Sequence, residues 1–428
     1  MISSPSPSDR PGAWSHLLCF LVLPALLGGV IGLCVSGLIW FFEGQVLGSL
    51  VTSTSPSIVW ITLAALPLSV LAMRFVAGTL SPSTNELYIL RANDTRKSMP
   101  LRELPGRVLA GAVTVACGGA QGQESPSASL GAGLGNAFER LMGRHFPERL
   151  RGFFMMAGAS AGLSAIFSSP GVGALYGLEI PFRRGFDARP LVQSVVAALA
   201  AFTVRSVTVG ARPLVPFAEQ HVSVDAPLIG GALLLALACG IGAKIFAGVA
   251  NRARSLRRRA SPWLGVSLGG LLLVVLGYIG WRATGAWVTL GPGHVMFDWA
   301  TAAPQSVWLL LAALLLHASA TIVCVFGGGG GGVFTSLTAT GAMLGCVAAV
   351  LLDTPADFYL PLVGGACLLG AAYRIPLASI MMIVEWGGGW SSAVLGVICV
   401  VMAQACMGSG TIAPAQSEGP AQLLGTKE

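Results

Sequence analysis

Charge is the scarcest commodity in this chain: Asp, Glu, Lys and Arg account for only 10% of its 428 residues. A soluble domain carries about 25%. Hydrophobic residues reach 54% and mean hydropathy is +0.76, which excludes an ordinary soluble protein and implies a polytopic membrane protein. CxxC spacing is missing too. All nine cysteines lie in apolar stretches, where they fit as small packed hydrophobes. The five histidines are scattered without a metal-ligand pattern, so neither a metal nor a cofactor is expected. The net charge of +7 sits in loops between apolar runs, which positive-inside topology explains better than nucleic-acid binding.

The apolar runs cover 13–42, 57–80, 104–120, 152–181, 190–211, 226–250, 262–290, 305–352, 358–384 and 390–408. A crossing helix needs about 20 apolar residues, and several segments within these runs fall short. Gly 57 and Pro 25 are high for simple lipid-facing helices and suit broken helices whose freed backbone lines a cavity. The first run is too long for a signal-peptide core and reads as a retained helix. Basic loops at 91–107, 139–151, 183–189 and 251–259 are assigned to the cytoplasm,. Loops near 43–57, 212–225 and 291–304 carry acids and almost no bases, so they are assigned outward. Between 151 and 183 the chain leaves and returns through two short segments split at Pro170, as partly re-entrant helices would.

A duplication underlies this organisation. Gly122, Gly131 and Leu134-Gly135 recur with identical offsets as Gly332, Gly341 and Leu344-Gly345. Downstream, Gly158, Ala165, Pro170 and Glu179 match Gly364, Ala371, Pro376 and Glu385, each set at −12, −5, 0 and +9 from its proline. The expected fold is an all-α polytopic membrane protein of two inverted-topology repeats with broken and re-entrant helices. Its divisions are a cytoplasmic tail 1–12, a first repeat 13–211, an external linker 212–225, a second repeat 226–412 and a short tail 413–428.

Duplicated halves with glycine-broken segments place a site at the repeat interface near the midplane. Helix N-termini carry unpaired N–H groups and partial positive charge, so several that converge make an anion site without buried lysines. GQESPS at 122–127 opens one such helix and GGGGGGVFTS at 327–336 opens its counterpart. LSPSTNELYIL at 80–90 offers Ser, Thr and Asn in N-cap style for a third,.

These motifs resemble the CLC family of chloride channels and proton/chloride antiporters, over nearly the whole chain to about residue 412. GQESP (122–126) is similar to the family's GREGP loop and GGVFTS (331–336) to its GGIFAP loop. AGLSAIFSSPGVGALYGLEIPF (161–182) and GAAYRIPLASIMMIVE (370–385) are similar to its two proline-centred helix pairs. The resemblance implies that Glu124 is the gate, an anionic side chain competing with the transported anion. It also implies anion binding by backbone near Val333 and Phe334 and by the loop residues Gln123 and Ser125. The family's central serine maps onto Pro82, with Ser81 or Ser83 supplied by a one-residue slip. Its coordinating tyrosine maps onto Ile412, with Thr411 beside it. Gln123 stands where the family has Arg, and Ser125 where it has Gly. The family's internal proton-relay glutamate corresponds to Ile180, which favours a channel or weakly coupled carrier. Glu179 and Glu385 read as structural acids at helix ends.

The resemblance further implies a homodimer with one pore per subunit in a prokaryotic plasma membrane, passing chloride or another monovalent anion, with protons as possible partners and no enzymatic activity. The short polar tail implies that the cytoplasmic regulatory domains of many eukaryotic members are absent. Proton-coupled chloride or fluoride antiport is the alternative within transport. A cation channel fits less well, since no ring of acids converges on the repeat glycines. The rival of another class is an intramembrane serine protease, from GASAG (158–162) with Ser160 and from His317 in LLLHASAT. GxSxG supports catalysis only in a strand–turn–helix setting, and small residues at this spacing also serve helix packing.

Overall fold

The computed structural model describes residues 17–81, 83–94, 97–142, 150, 152–210, 225–354, 359–387 and 390–420. The tail 1–12, the linker 212–225 apart from Asp225, and tail residues 421–428 lie outside the described residues. The chain forms sixteen helices among the described residues: α1 (Leu18–Val51), α2 (Pro56–Val76), α3 (Thr84–Ala92), α4 (Leu104–Ala116), α5 (Glu124–Met142), α6 (Phe153–Phe167), α7 (Pro170–Glu179), α8 (Leu191–Thr208), α9 (Ala226–Arg259), α10 (Pro262–Thr284), α11 (His294–Ala302), α12 (Val307–Gly327), α13 (Phe334–Leu351), α14 (Tyr359–Tyr373), α15 (Pro376–Trp386) and α16 (Trp390–Met407).

Seven of these, α1, α2, α8, α9, α10, α12 and α13, are long and apolar enough to cross a membrane. Leu26 and Leu33 on α1, Leu234 and Ile245 on α9 and Leu315 on α12 are exposed, as lipid-facing residues are. The core is built differently. Every residue of α6 and of α14 is buried, and each has only 15 residues, or about 22 Å at 1.5 Å per residue. Helices apolar on all sides and shorter than the roughly 30 Å hydrocarbon layer belong inside a bundle, away from lipid.

The two halves pack by the same rule. A Cβ on Gly131 would run into the Gly158 carbonyl, and one on Gly341 would run into the Gly364 carbonyl. The α5–α6 and α13–α14 pairs therefore approach backbone to backbone at matching positions, as small residues permit inside membranes. The apolar run 152–181 breaks at Ser168, whose φ of 50° is left-handed, and α7 begins at Pro170, where a missing N–H costs nothing. The run 305–352 likewise splits into α12 and α13 around the polyglycine loop.

The acids at the ends of the proline helices join the halves. Glu179, at the end of α7, accepts the amides of Leu377 (3.0 Å) and Ala378 (2.8 Å) at the start of α15. Glu385, in α15, accepts the amides of Gly171 (2.8 Å) and Val172 (3.2 Å) at the start of α7, and the Ser169 hydroxyl. Each carboxylate caps the other repeat's helix N-terminus, where it meets unpaired N–H groups and the positive dipole end. Both acids are thus bonded at helix ends, as expected.

Several stretches differ from the sequence reading: residues 251–259, expected as a loop, form the last turns of α9, and α11 (His294–Ala302) fills most of the expected loop 291–304. Residues 43–51, expected in an outward loop, continue α1, which is wound with i→i+5 bonds over Ile39–Leu47. Apolar neighbours on both sides of Glu43 (Phe41, Phe42, Val46, Leu47) keep the segment helical. The tail start also packs on the core. Arg183 N donates to Ser417 O (2.7 Å), Ser417 N donates to Pro181 O (3.1 Å), and the buried Gln416 amide donates to the Tyr373 carbonyl (2.8 Å).

Candidate functional site

The two glycine loops meet face to face at the interface of the repeats. Gly122 N donates to Gly332 O (2.9 Å) and Gly332 N donates to Gly122 O (2.7 Å). Around this reciprocal pair, the Gln121 side-chain carbonyl accepts from Gly331 N (3.2 Å), the Thr114 hydroxyl accepts from Gly330 N (3.2 Å), and the Ser336 hydroxyl donates to Ala120 O (3.1 Å). A cross-bonded floor of this kind holds the starts of α5 and α13 beside each other.

Glu124 is the first residue of α5 and only 1% exposed. Its Oε1 accepts the Thr335 amide, in the first turn of α13, at 3.0 Å. Its Oε2 has no hydrogen-bond partner. One carboxylate thus spans both repeats, held by an N–H of a helix start that is not its own. The amides of Val333 and Phe334 precede the first closed turn of α13 and have no intrahelical partner. Both residues are buried.

On one side of Glu124 lies a constriction of about 10 Å³, the space of roughly one water molecule. It is lined by Thr84, Tyr88, Ile89, Glu124, Ser125, Ala128, Tyr176 and Ile180. The start of α3 reaches it because the Ser129 hydroxyl on α5 donates to Thr84 O (3.1 Å). An aromatic group braces the α13 start: Phe167 stacks on Phe334 at 4.1 Å and Tyr176 meets Phe334 edge-on at 4.8 Å. The Tyr88 hydroxyl donates to Gly177 O (2.5 Å). Sequence reasoning missed Tyr88 and Tyr176. No local motif marks them, because each is one apolar position on a short helix.

A wider cavity of about 310 Å³ lies against the polyglycine loop and shares Thr84 with the constriction. Ser81, Ser83, Gln121, Gly329–331 and Val333 line it with Arg254, Arg257 and Arg258 from the end of α9 and with Glu86 from α3. Glu86 and Ser83 cap α3 in reciprocal fashion,, and Arg258 approaches Glu86 at 3.4 Å. Arg254 donates to Ile412 O (2.7 Å). Three guanidinium groups against one carboxylate make this a positive vestibule, suited to gathering anions.

The expected site residues therefore divide. Glu124 and Ser125 line the constriction, while Ser81, Ser83 and Val333 line the vestibule. Both Gln123, the residue before Glu124, and Phe334, the residue before Thr335, are buried. Thr411 is engaged elsewhere: its hydroxyl donates to Gln416 Oε1 (2.6 Å) and accepts the Ala413 amide (3.1 Å). Ser160 donates to Ala174 O (3.2 Å), whereas His317 Nδ1 pairs with Val288 O (3.0 Å). The two side chains thus hydrogen-bond different partners, and Ser160 sits inside an unbroken helix. Among the described residues no group of three or more His, Cys, Asp or Glu is arranged to hold a metal ion.

The family model described as "Voltage gated chloride channel" matches residues 64–408. A "Chloride/fluoride channel protein" of Pseudomonas syringae pv. tomato is 26% identical over 358 residues, which is 81% of this chain and 76% of that protein. Among solved structures, a CLC-type fluoride/proton antiporter superposes with a TM-score of 0.76 at 22% identity, over 95% of this chain and 100% of that one. A slow cyanobacterial Cl⁻/H⁺ antiporter gives 0.77 at 18% identity, over 92% and 96% of the two chains. A eukaryotic CLC transporter gives 0.74 at 17% identity, over 94% and 73%. At these identities the structures establish a shared fold.

Proposed function

This chain belongs to the voltage-gated chloride channel family, a family of anion transporters and channels, and on that premise we propose that it passes chloride or a similar monovalent anion through a pore closed by Glu124. The observation that carries this reading is the Glu124 carboxylate bonded to the Thr335 amide at 3.0 Å. A carboxylate is itself an anion, so what holds Glu124 also suits a halide. While ionised, Glu124 occupies the anion's place. Protonation or displacement frees the Thr335 amide and vacates the path between vestibule and constriction. Val333, Phe334, Ser125 and Gln123 form the surrounding cradle in this reading. Ser81 and Ser83 belong to the vestibule through which the anion enters, and Thr411 supports the tail through Gln416.

Weak proton coupling is favoured by the constriction's lining, in which Glu124 is the one acid and Ile180 occupies the position of the family's relay glutamate. The second reading is proton-coupled chloride or fluoride antiport. It is supported by the relative that carries chloride/fluoride in its name and by the fluoride/proton antiporter of like fold. The protein is a multi-pass membrane protein, and we assign it to a prokaryotic plasma membrane as a homodimer with one pore per subunit.

Purified protein in liposomes, followed with chloride and pH electrodes, tests the proposal. A chloride gradient that drives anion efflux without moving protons marks a channel. Uphill proton movement marks an antiporter. The same assay with fluoride identifies the preferred ion.

A further inference from the structure

Glu43 is the only charged residue of α1, and an acid within a membrane-crossing helix is costly unless it has a task. Its surroundings identify one. The Ile39–Leu47 segment packs on α4, whose Gly111 backs Pro126 two residues after Glu124, and the Glu43 carboxylate lies within electrostatic reach of Arg205 on α8 and of Gln123, the residue before Glu124. It also lies close enough to Glu124 for the two carboxylates to repel.

Several polar atoms here are buried without a well-formed hydrogen bond: both amide atoms of Gln123, Oε2 of Glu124, and Nε and Nη1 of Arg205. Buried polar groups are overwhelmingly paired, so five unpaired atoms on three neighbouring residues mark a place where something exchanges. The backbone here is also distorted, as it is at Leu18–Val22 and Ala72–Val76. Glu43 lies in the Ile39–Leu47 segment, where i→i+5 bonding inserts residues into the helix, a distortion frequent at functional sites.

Exposure falls inward along the same line. Glu43 is partly exposed and its neighbour Gln45 is exposed, while Gln123 and Glu124 are each only 1% exposed. The other charges nearby are accounted for. The only charged residue of α4, Arg107, pairs with Glu103 at 2.7 Å. Arg205 is the only charged residue of α8, and Glu139 and Arg140 lie at the far end of α5.

Resting on the reading of Glu124 as the gate, we propose that Glu43 is its proton-exchange partner, a second acid that passes protons between water at the linker side and Glu124. The proton leaves the Glu43 carboxyl, which ionises beside Arg205, and arrives on the unbonded Oε2 of Glu124. Glu43 then takes a replacement proton from water. Gln123 positions the two carboxylates and neither gains nor loses a proton.

The test measures halide flux in liposomes while pH is varied on one side at a time. Glu43→Gln removes both the exchangeable proton and the negative charge beside Glu124, so Glu124 stays ionised to lower pH. The midpoint of pH activation shifts acid by about one unit, a tenfold change in proton concentration, whichever side is titrated. The rate of activation after a pH step on the linker side falls severalfold while that after a step on the opposite side does not, which a merely structural role would not predict. Glu43→Asp, which keeps the acid, restores most of the midpoint. In the Glu124→Gln background the Glu43→Gln change has no effect on the pH profile. A Glu43→Gln profile that superimposes on the parent's, with Glu124→Gln still flattening pH dependence, overturns this inference and leaves the gate standing. A Glu124→Gln profile identical to the parent's overturns both.

Discussion

Gly122 and Gly332, 210 positions apart in the sequence, donate their amides to each other's carbonyls at 2.9 and 2.7 Å. This reciprocal pair fixes where the duplicated loops meet and sets Glu124 of one repeat against the α13 start of the other. The asymmetry is as informative as the symmetry. The second repeat has Phe334 where the first has Glu124, so one half supplies only the N–H groups and the other adds a side chain that occupies them.

Gly332 tests that arrangement. A Cβ placed there would lie 2.5 Å from Glu124 Oε2 and 2.8 Å from the Ser125 hydroxyl. The side chain yields more readily than backbone, so Gly332→Ala is expected to push the carboxylate from its seat. Flux at neutral pH should rise severalfold and its pH dependence should become shallower, with thermal stability nearly unchanged. Gly131→Ala, whose methyl meets the Gly158 backbone carbonyl, should behave oppositely. Overpacking of this kind costs about 1–3 kcal/mol, which a thermal melt in detergent would report as a lowered Tm.

The capping acids make a second pair. Glu179→Ala leaves the Leu377 and Ala378 amides without their carboxylate, and Glu385→Ala does the same to Gly171 and Val172. Hydrogen bonds to a charged group contribute about 1.5–3 kcal/mol each, so either variant should melt several degrees lower. Glu179→Gln retains an acceptor and should fall between. If Glu179 carried protons instead, Gln would abolish proton movement while leaving the melt alone.

The vestibule arginines predict a salt-dependent effect. Arg257→Gln removes one of three guanidinium charges lining the cavity. Flux from that side should fall by about two- to tenfold at low ionic strength, and the difference should shrink near 1 M salt, where the Debye length drops to roughly 3 Å. Flux from the opposite side should change little.

Much of this was legible in the sequence because it is written at fixed offsets. The repeated glycines, the two prolines and the acids nine residues beyond them specify a packing rule that the structure realises twice. The Glu124 position followed from the same loops. What the sequence concealed arises from contacts across distant segments with no shared period. Tyr88 and Tyr176 reach the constriction from short helices whose positions are set only by tertiary packing. Glu43 and Arg205, 162 positions apart, come within electrostatic reach of each other because α1 continues past its expected end with altered winding. Thr411 illustrates the converse: adjacency to a family position located its backbone, but the side chain's partner, Gln416, is set by how the tail folds back.

The most direct measurement is the pH profile of halide flux for Glu124→Gln against the parent protein, reconstituted in liposomes. The neutral amide is of nearly the same shape but carries no charge to compete with an anion for the Thr335 N–H. Flux equal to or faster than the parent's and flat between about pH 4 and pH 8, a range spanning the ordinary carboxylate pKa, is the predicted result. A Glu124→Gln protein whose flux keeps the parent's pH dependence would contradict the account.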